Sequence, residues 1–300
     1  MKKKTYLFAL MTMALTLGSC SDNENGIGSE TSKYITVSTS INNMTRVATD
    51  AKGGQTFEEG DEISVYAWTG APTVAPETSE RVVNNAINKL TNGSWISTPQ
   101  MLWKNNREKH YFIGVYPTAA ISDLSAGEYT FDANKQTESD LLVAVNPDGL
   151  SYSADAQQIV PLTFTHVMSK LAVNLTYKNQ WGGIPTVEKV VVGNAAKEAT
   201  INYLTKVVTP STTAKEDFSL PEITENTKYV SVIIPQEEVT QLTIVIGGKN
   251  FVYDNGTPFK LESGKITTVN LEVGRDEIKL GDVKITNWED GSTFSGEALN

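Results

Sequence analysis

From Tyr34 onward, apolar and polar positions alternate with a period of two, the signature of half-buried strands. Ile35, Val37, Thr39 and Ile41 form one such row. Ile63, Val65 and Ala67 form another, with Tyr66 and Trp68 on the opposite parity. Tyr111 to Tyr116 is aromatic and β-branched and is stopped by Pro117. Leu171, Val173, Leu175 and Tyr177 alternate with Ala172, Asn174 and Thr176, and Val269, Leu271 and Val273 make a later row. Leu242, Ile244 and Ile246 run into Gly247-Gly248 and then Phe251-Val252-Tyr253, which predicts a hairpin. Turn residues recur at short intervals, at Gly53-Gly54, Asn92-Gly93, Pro147-Asp148-Gly149, Gly182-Gly183 and Asp254-Asn255-Gly256. One stretch departs from this rhythm. Val82, Val83, Ala86, Ile87 and Leu90 fall on one helical face, so Arg81 to Leu90 reads as a short helix.

Many short strands with frequent turns predict an all-β sandwich or barrel. One sandwich needs roughly 100 residues, so the remaining length points to two in tandem. Asn146 to Gln158 lacks periodicity and is rich in Asn, Asp, Ser, Gly and Ala, and the linker is placed there. The expected division is an N-terminal sandwich over 34–158 and a C-terminal one over 159–300. No fixed-period repeat is found, which argues against a solenoid or propeller.

The first residues read as an address. Lys2, Lys3 and Lys4 precede Tyr6 to Leu17, which is apolar apart from two Thr. A bilayer span needs about 20 residues, so this run has the length of a signal-peptide core. It ends in Leu17-Gly18-Ser19-Cys20, which resembles the bacterial lipobox. Residues 1–19 are therefore expected to be removed and Cys20 to be lipidated; the alternative is a chance Cys after an ordinary signal peptide. Two acyl chains on one Cys would hold the chain firmly in a leaflet. Residues 20–33 are polar and acidic and form a flexible tether. The acids directly after Cys20 resemble the surface-export signal of Bacteroidetes lipoproteins, which predicts an outer-membrane, surface-exposed location; retention on the periplasmic face is the alternative.

Composition removes several chemistries. The hydrophobic fraction of 39% supplies a core. Net charge is −10, and loss of residues 1–19 takes three Lys and no acid, leaving −13. Such a balance argues against a nucleic-acid partner. One Cys rules out an internal disulfide, and two His add little for a transition metal. Neither Gly-x-Ser-x-Gly nor a Gly-rich phosphate loop ending in Lys and Ser or Thr occurs. His110 and His166 stand beside strand residues and read as hydrogen-bonded structural side chains. Glu58, Glu59, Asp61 and Glu62 cluster before a strand and read as a solvated turn, although the number of carboxylates leaves a glycosidase pair open. Asp254-Asn255-Gly256 reads as a hairpin turn and not as a cation loop. No cofactor and no enzymatic activity are expected.

Several segments together resemble a known family. Phe57-Glu-Glu-Gly-Asp-Glu-Ile-Ser-Val-Tyr-Ala67 resembles the opening of the fimbrillin-like lipoproteins of Bacteroidales. Trp103 followed by Tyr111-Phe-Ile-Gly-Val-Tyr-Pro117 is similar to a second stretch of theirs. Asp140-Leu-Leu-Val-Ala144 and Pro161-Leu-Thr-Phe-Thr-His-Val-Met-Ser-Lys-Leu171 match their mid-chain signatures. Gly114 stands where Ala is commoner, a departure that does not weaken the resemblance. The helical reading of residues 81–90 is another, because the family has a strand there.

The resemblance implies two transthyretin-like β-sandwiches that build surface pili. Precursors of this family arrive as lipoproteins, an Arg-specific protease removes the first strand, and a neighbouring subunit's strand fills the emptied groove. Carried onto this sequence, the maturation site is Arg46-Val47, just after the strand-like Tyr34 to Ile41; the alternative is an ordinary solvated Arg. Ile278, Leu280, Val283, Ile285 and Trp288 are the apolar positions of a donor strand within 278–300. Their parity shifts across Gly281-Asp282, which predicts two short strands or a bulge. The alternative is that they are the last strands of their own sandwich. The implied partners are other pilus subunits, the outer membrane through Cys20 before cleavage, and a host or bacterial surface receptor. A glycan-binding surface lipoprotein of a polysaccharide-uptake system is the competing function, with an enzyme third.

Overall fold

Period-two segments become strands along the whole chain of the computed structural model, which describes residues 33–42, 56–153 and 158–288. In order these are β1 (Thr36–Ile41), β2 (Glu62–Thr69), β3 (Val83–Thr91), β4 (Ser94–Thr98), β5 (His110–Tyr116), β6 (Gly127–Thr130) and β7 (Leu142–Leu150). They continue as β8 (Ile159–His166), β9 (Ser169–Tyr177), β10 (Val187–Ala196), β11 (Glu198–Asn202), β12 (Val207–Pro210) and β13 (Lys215–Ser219). The last are β14 (Glu222–Thr224), β15 (Lys228–Ile233), β16 (Gln236–Ile246), β17 (Lys249–Leu261), β18 (Lys265–Val273) and β19 (Ile278–Asn287). A seven-stranded sheet has the order β1-β8-β7-β5-β2-β3-β4, and a five-stranded one β14-β15-β9-β18-β19. The others are β13-β10-β16-β17 and β12-β11-β6. The expected hairpin is β16–β17, closing Ile246 against Lys249 through Gly247 and Gly248, both at positive φ, 59° and 72°.

The helix expected at Arg81 to Leu90 is strand β3, in line with the family resemblance. Between β2 and β3 the register runs Val65 to Ala86 and then Ala67 to Val83, so β3 carries one extra residue. Asn85 sits there at φ 56°. The bulge places buried Val83 and Ala86 three apart, and that spacing imitates a helical face.

The boundary expected between residues 158 and 159 does not separate sheets. Ile159 opens β8, which lies between β1 and β7 in the seven-stranded sheet. Much of the expected linker is the end of β7. The chain leaves this sheet after His166, across buried Val167 and Met168. Likewise β6 pairs with β11, so sequence order and sheet membership interleave.

Two apolar clusters form. One gathers Ile35, Val37, Val65, Phe112, Leu162 and Phe164 on one face of the seven-stranded sheet. The other runs unbroken from Tyr66, Trp68 and Val143 on its opposite face to Val190, Ile244 and Val269 in the remaining sheets. Strands β2, β5 and β7 are thus buried on both faces, which explains the aromatic residues at both parities of β2.

Candidate functional site

The seven-stranded sheet curls until its two edges approach each other. Ile35 donates its N–H to the Met101 carbonyl at 3.0 Å, and Trp103 donates to the Lys33 carbonyl at 3.2 Å. Further along, Trp95 Nε1 donates to Thr39 Oγ1 at 3.0 Å. Between β1 and β4 a cleft of about 650 Å³ remains, lined by Thr36 to Ile41 with Phe57, Trp95, Ile96 and Ile159.

β1 therefore occupies a slot. On one side it makes a parallel ladder of six pairs with β8, from Thr36–Ile159 to Ile41–Phe164. Asn42 extends it by donating to the Phe164 carbonyl at 2.8 Å. Ile35 and Val37 point inward and are 1% and 6% exposed, while Ile41 packs at the rim. Beneath them the Phe57 ring meets Phe164, Trp95 and Tyr116 edge-on at 5.1, 5.3 and 5.4 Å. Vacating the slot would bare the β8 edge and uncover Val160, Leu162 and Phe164, leaving both unpaired backbone and apolar surface. An incoming strand with alternate apolar residues repairs both.

Gly114 on β5 sets this floor. A Cβ at Gly114 would come within 2.7 Å of the Phe164 ring and 3.1 Å of Leu162. Glycine at this place leaves the room that the Phe164 ring fills. Gly114→Ala is expected to lower stability by about 1–3 kcal/mol, as overpacking does. Chemical denaturation checks this; an unchanged midpoint would show that the Phe164 ring can yield.

The C-terminal segment is seated in its own sheet. Ile278, Leu280, Val283 and Ile285 lie on β19, an edge strand paired antiparallel with β18. The parity shift is a bulge: Val269 faces Val283 while Leu271 faces Leu280, so Gly281 and Asp282 oppose Asn270 alone. Asn270 Nδ2 donates to Asp282 Oδ1 at 2.6 Å, which fixes the bulge. Val283 and Ile285 remain 37% and 39% exposed, whereas Trp288, at the end of the strand, is 5% exposed. In the monomer these residues thus take the place foreseen by the alternative reading, the final strand of their own sheet, but as a loosely covered edge. Cys20, Arg46 and Val47 lie outside the described residues.

The remaining candidates have structural work. Buried His110 accepts the Lys104 N–H through Nε2 at 3.0 Å and meets Trp103 edge-on. Burial holds its imidazole below the usual histidine range. His166 Nδ1 lies 2.7 Å from Asp140 Oδ1. In the acidic cluster Glu59 accepts the N–H of Asn92 at 2.5 Å, tying down the β3–β4 turn, and Glu62 pairs with Lys89 at 3.0 Å. Among the described residues no group of three His, Cys, Asp or Glu side chains is placed to hold a metal ion.

The architecture is that of a curled β-sheet protein whose first strand sits in a slot, and comparison with known proteins identifies the class. The model of the fimbrillin-like family matches residues 45–288. The chain belongs to the fimbrillin-like family, and that membership supports a pilus or adhesion subunit with a place on a surface pilus. Its fold is similar to that of a candidate cell adhesion protein from Bacteroides uniformis, at a TM-score of 0.63 and 18% identity, covering 86% of this chain and 100% of that one. A candidate cell adhesion protein from Bacteroides ovatus gives 0.64 and 18%, covering 85% and 98%. A fimbrial protein from Bacteroides vulgatus gives 0.51 and 13%, covering 84% and 99%. No protein of curated function matches the sequence.

Proposed function

We propose that this chain is a structural and adhesive, non-enzymatic subunit of a bacterial surface pilus, exported as a lipoprotein on Cys20. Cleavage after Arg46 frees β1, and the segment beginning at Ile278 passes into the vacated slot of a neighbouring subunit. The observation that carries this reading is the seating of β1. It is a six-residue edge strand that, with Ile35 just before it, buries only Ile35 and Val37 fully, yet covers the β8 edge and the Phe164 floor. Arg46 follows the last residue of β1 by five positions in the sequence. A cut after Arg46 would release β1 with Ile35 and Val37 from the cluster they share with Leu162 and Phe164.

The glycan-binding alternative needs exposed aromatic platforms. Trp68, Trp103 and Trp288 are buried, Trp95 and Trp181 are partly covered, and among the described aromatic residues Tyr34 alone, beside β1, is more than a third exposed. That distribution favours assembly over sugar stacking. The test uses purified full chain, nicked with an Arg-specific protease and followed by electron microscopy and sizing. Fibres or ladders of subunits are expected after nicking. Nicked chains that stay single and bind oligosaccharide would replace this reading with the alternative.

A further inference from the structure

The end of β19 carries a contact unlike the rest of that strand. Trp288 stacks on His166 with ring centroids 4.2 Å apart and planes 13° from parallel. Lys170 Nζ lies over the same indole, 4.4 Å from its centroid. His166 ends β8 and Lys170 is the second residue of β9, so the short passage between two sheets supplies both groups. Asp140 fixes the imidazole from its far side in the chain, at Nδ1. The Trp288 N–H reaches the Gly264 carbonyl at 3.2 Å, while its Nε1 has no hydrogen-bond partner among the described residues. The indole is therefore held by ring and cation contacts, not by a directional bond of its own. Burial lowers the Lys170 pKa, with Asp140 pulling the other way.

The rest of β19 is held differently. Val283 and Ile285 are more than a third exposed. Glu277, just before the strand, pairs with Lys178 and Lys279 at the surface, where ion pairs contribute little. Ile278 and Leu280 pack only at the rim of the larger cluster, and Asn270 and Lys265 bond Asp282 and Asn287, so Trp288, one residue past β19, is the one fully buried side chain between positions 278 and 288.

We infer that His166, Lys170 and Trp288 form a latch that keeps the C-terminal strand on its own sheet, so that the strand leaves only when the indole is withdrawn. Its purpose rests on the strand-donation reading; its geometry does not. A strand shared between subunits must stay put in the monomer, or its apolar edge would pair at random. It must also come away when a vacant slot offers better burial. A single aromatic plug, clamped by one ring and one cation, meets both needs. Because β8 carries β1 on its other side, the strand to be lost and the strand to be given away are fastened to the same element.

Hydrogen exchange of the full chain, read by mass spectrometry, tests the latch in the monomer. Trp288→Ala is expected to speed exchange across residues 278–287 by about tenfold or more, as local opening becomes easier. Lys170→Met, which keeps the stem and removes the charge, is expected to do so several-fold. β14 and β15, at the other edge of the sheet, should be unaffected. Unchanged exchange in β19 in both variants overturns the latch, and so does an equal rise over the whole sheet. The same variants, nicked after Arg46, separate the latch from its purpose. Faster assembly supports both, whereas faster exchange with unchanged assembly leaves the latch standing and removes the strand-donation reading.

Discussion

Arg46→Ala is expected to stay monomeric under conditions in which the nicked parent assembles, and a chain beginning at Val47 is expected to assemble with no protease present. Both outcomes follow from what β1 contributes. Ile35 and Val37 are almost wholly buried, and full burial of such side chains is worth about 1.5–3 kcal/mol each. The pair therefore contributes about 3–6 kcal/mol, before the six-pair ladder with β8 is considered. A whole domain is stable by only about 5–15 kcal/mol. Loss of β1 thus takes a large share of the total and exposes Val160, Leu162 and Phe164 along a bare strand edge. Such a chain must find another strand or lose its packing. With Arg46 replaced, β1 stays tethered to Thr56 and the slot stays full. Sizing by light scattering, with a thermal melt of each species, checks the argument. Polymer of normal length from Arg46→Ala would show that cleavage there is unnecessary. A Val47 chain that remains a single, fully stable monomer would show that β1 is not a structural stopper.

The strands were legible because their signal is local. Alternation in β1, β9, β16 and β18 needs only neighbouring residues, and the Gly247-Gly248 turn announces its hairpin. What failed depends on distant partners. Ser40 and Thr163 bond across 123 positions, and nothing within either segment says that β8 belongs beside β1. An unpatterned stretch before Ile159 therefore looked like a boundary. The helix expected over 81–90 arose from a bulge, because one inserted residue at Asn85 turns a spacing of two into three. The packing at Gly114 is not legible locally either, because the ring that fills its missing Cβ, that of Phe164, comes from another strand. His166 does bond a neighbour, Asp140, yet its stacking partner Trp288 cannot be named from sequence. The strand from Ile278 and its bulge at Gly281-Asp282 are legible from parity. Their intramolecular seat on β18 was only the alternative, since an apolar alternating strand reads the same whichever sheet receives it.

Deleting residues 278–300 separates the two halves of strand exchange, because it removes the gift and leaves the slot. The truncated chain should still fold. It loses the Trp288 plug, and truncation of a buried Trp costs about 3–5 kcal/mol; Val283 and Ile285 were already more than a third exposed and add little. β18 keeps its parallel pairing with β9 from Ile266 to Val273, so the sheet retains an ordered edge. The cluster around Ile35 and Phe164, and the β8 edge that receives a strand, are intact, while the larger cluster loses Trp288 and the rim packing of Ile278 and Leu280. Nicked after Arg46 and mixed with nicked parent, this variant should bind a donor from one neighbour and offer none to the next. A head-to-tail contact that does not close grows as an open filament, so a subunit lacking one half of the contact stops growth at one end. Mean fibre length by electron microscopy is then expected to fall in inverse proportion to the variant's share of the mixture, while the number of fibres rises. Unchanged lengths would place the donated strand elsewhere in the chain, because an acceptor that cannot donate has no other way to leave the polymer unaffected.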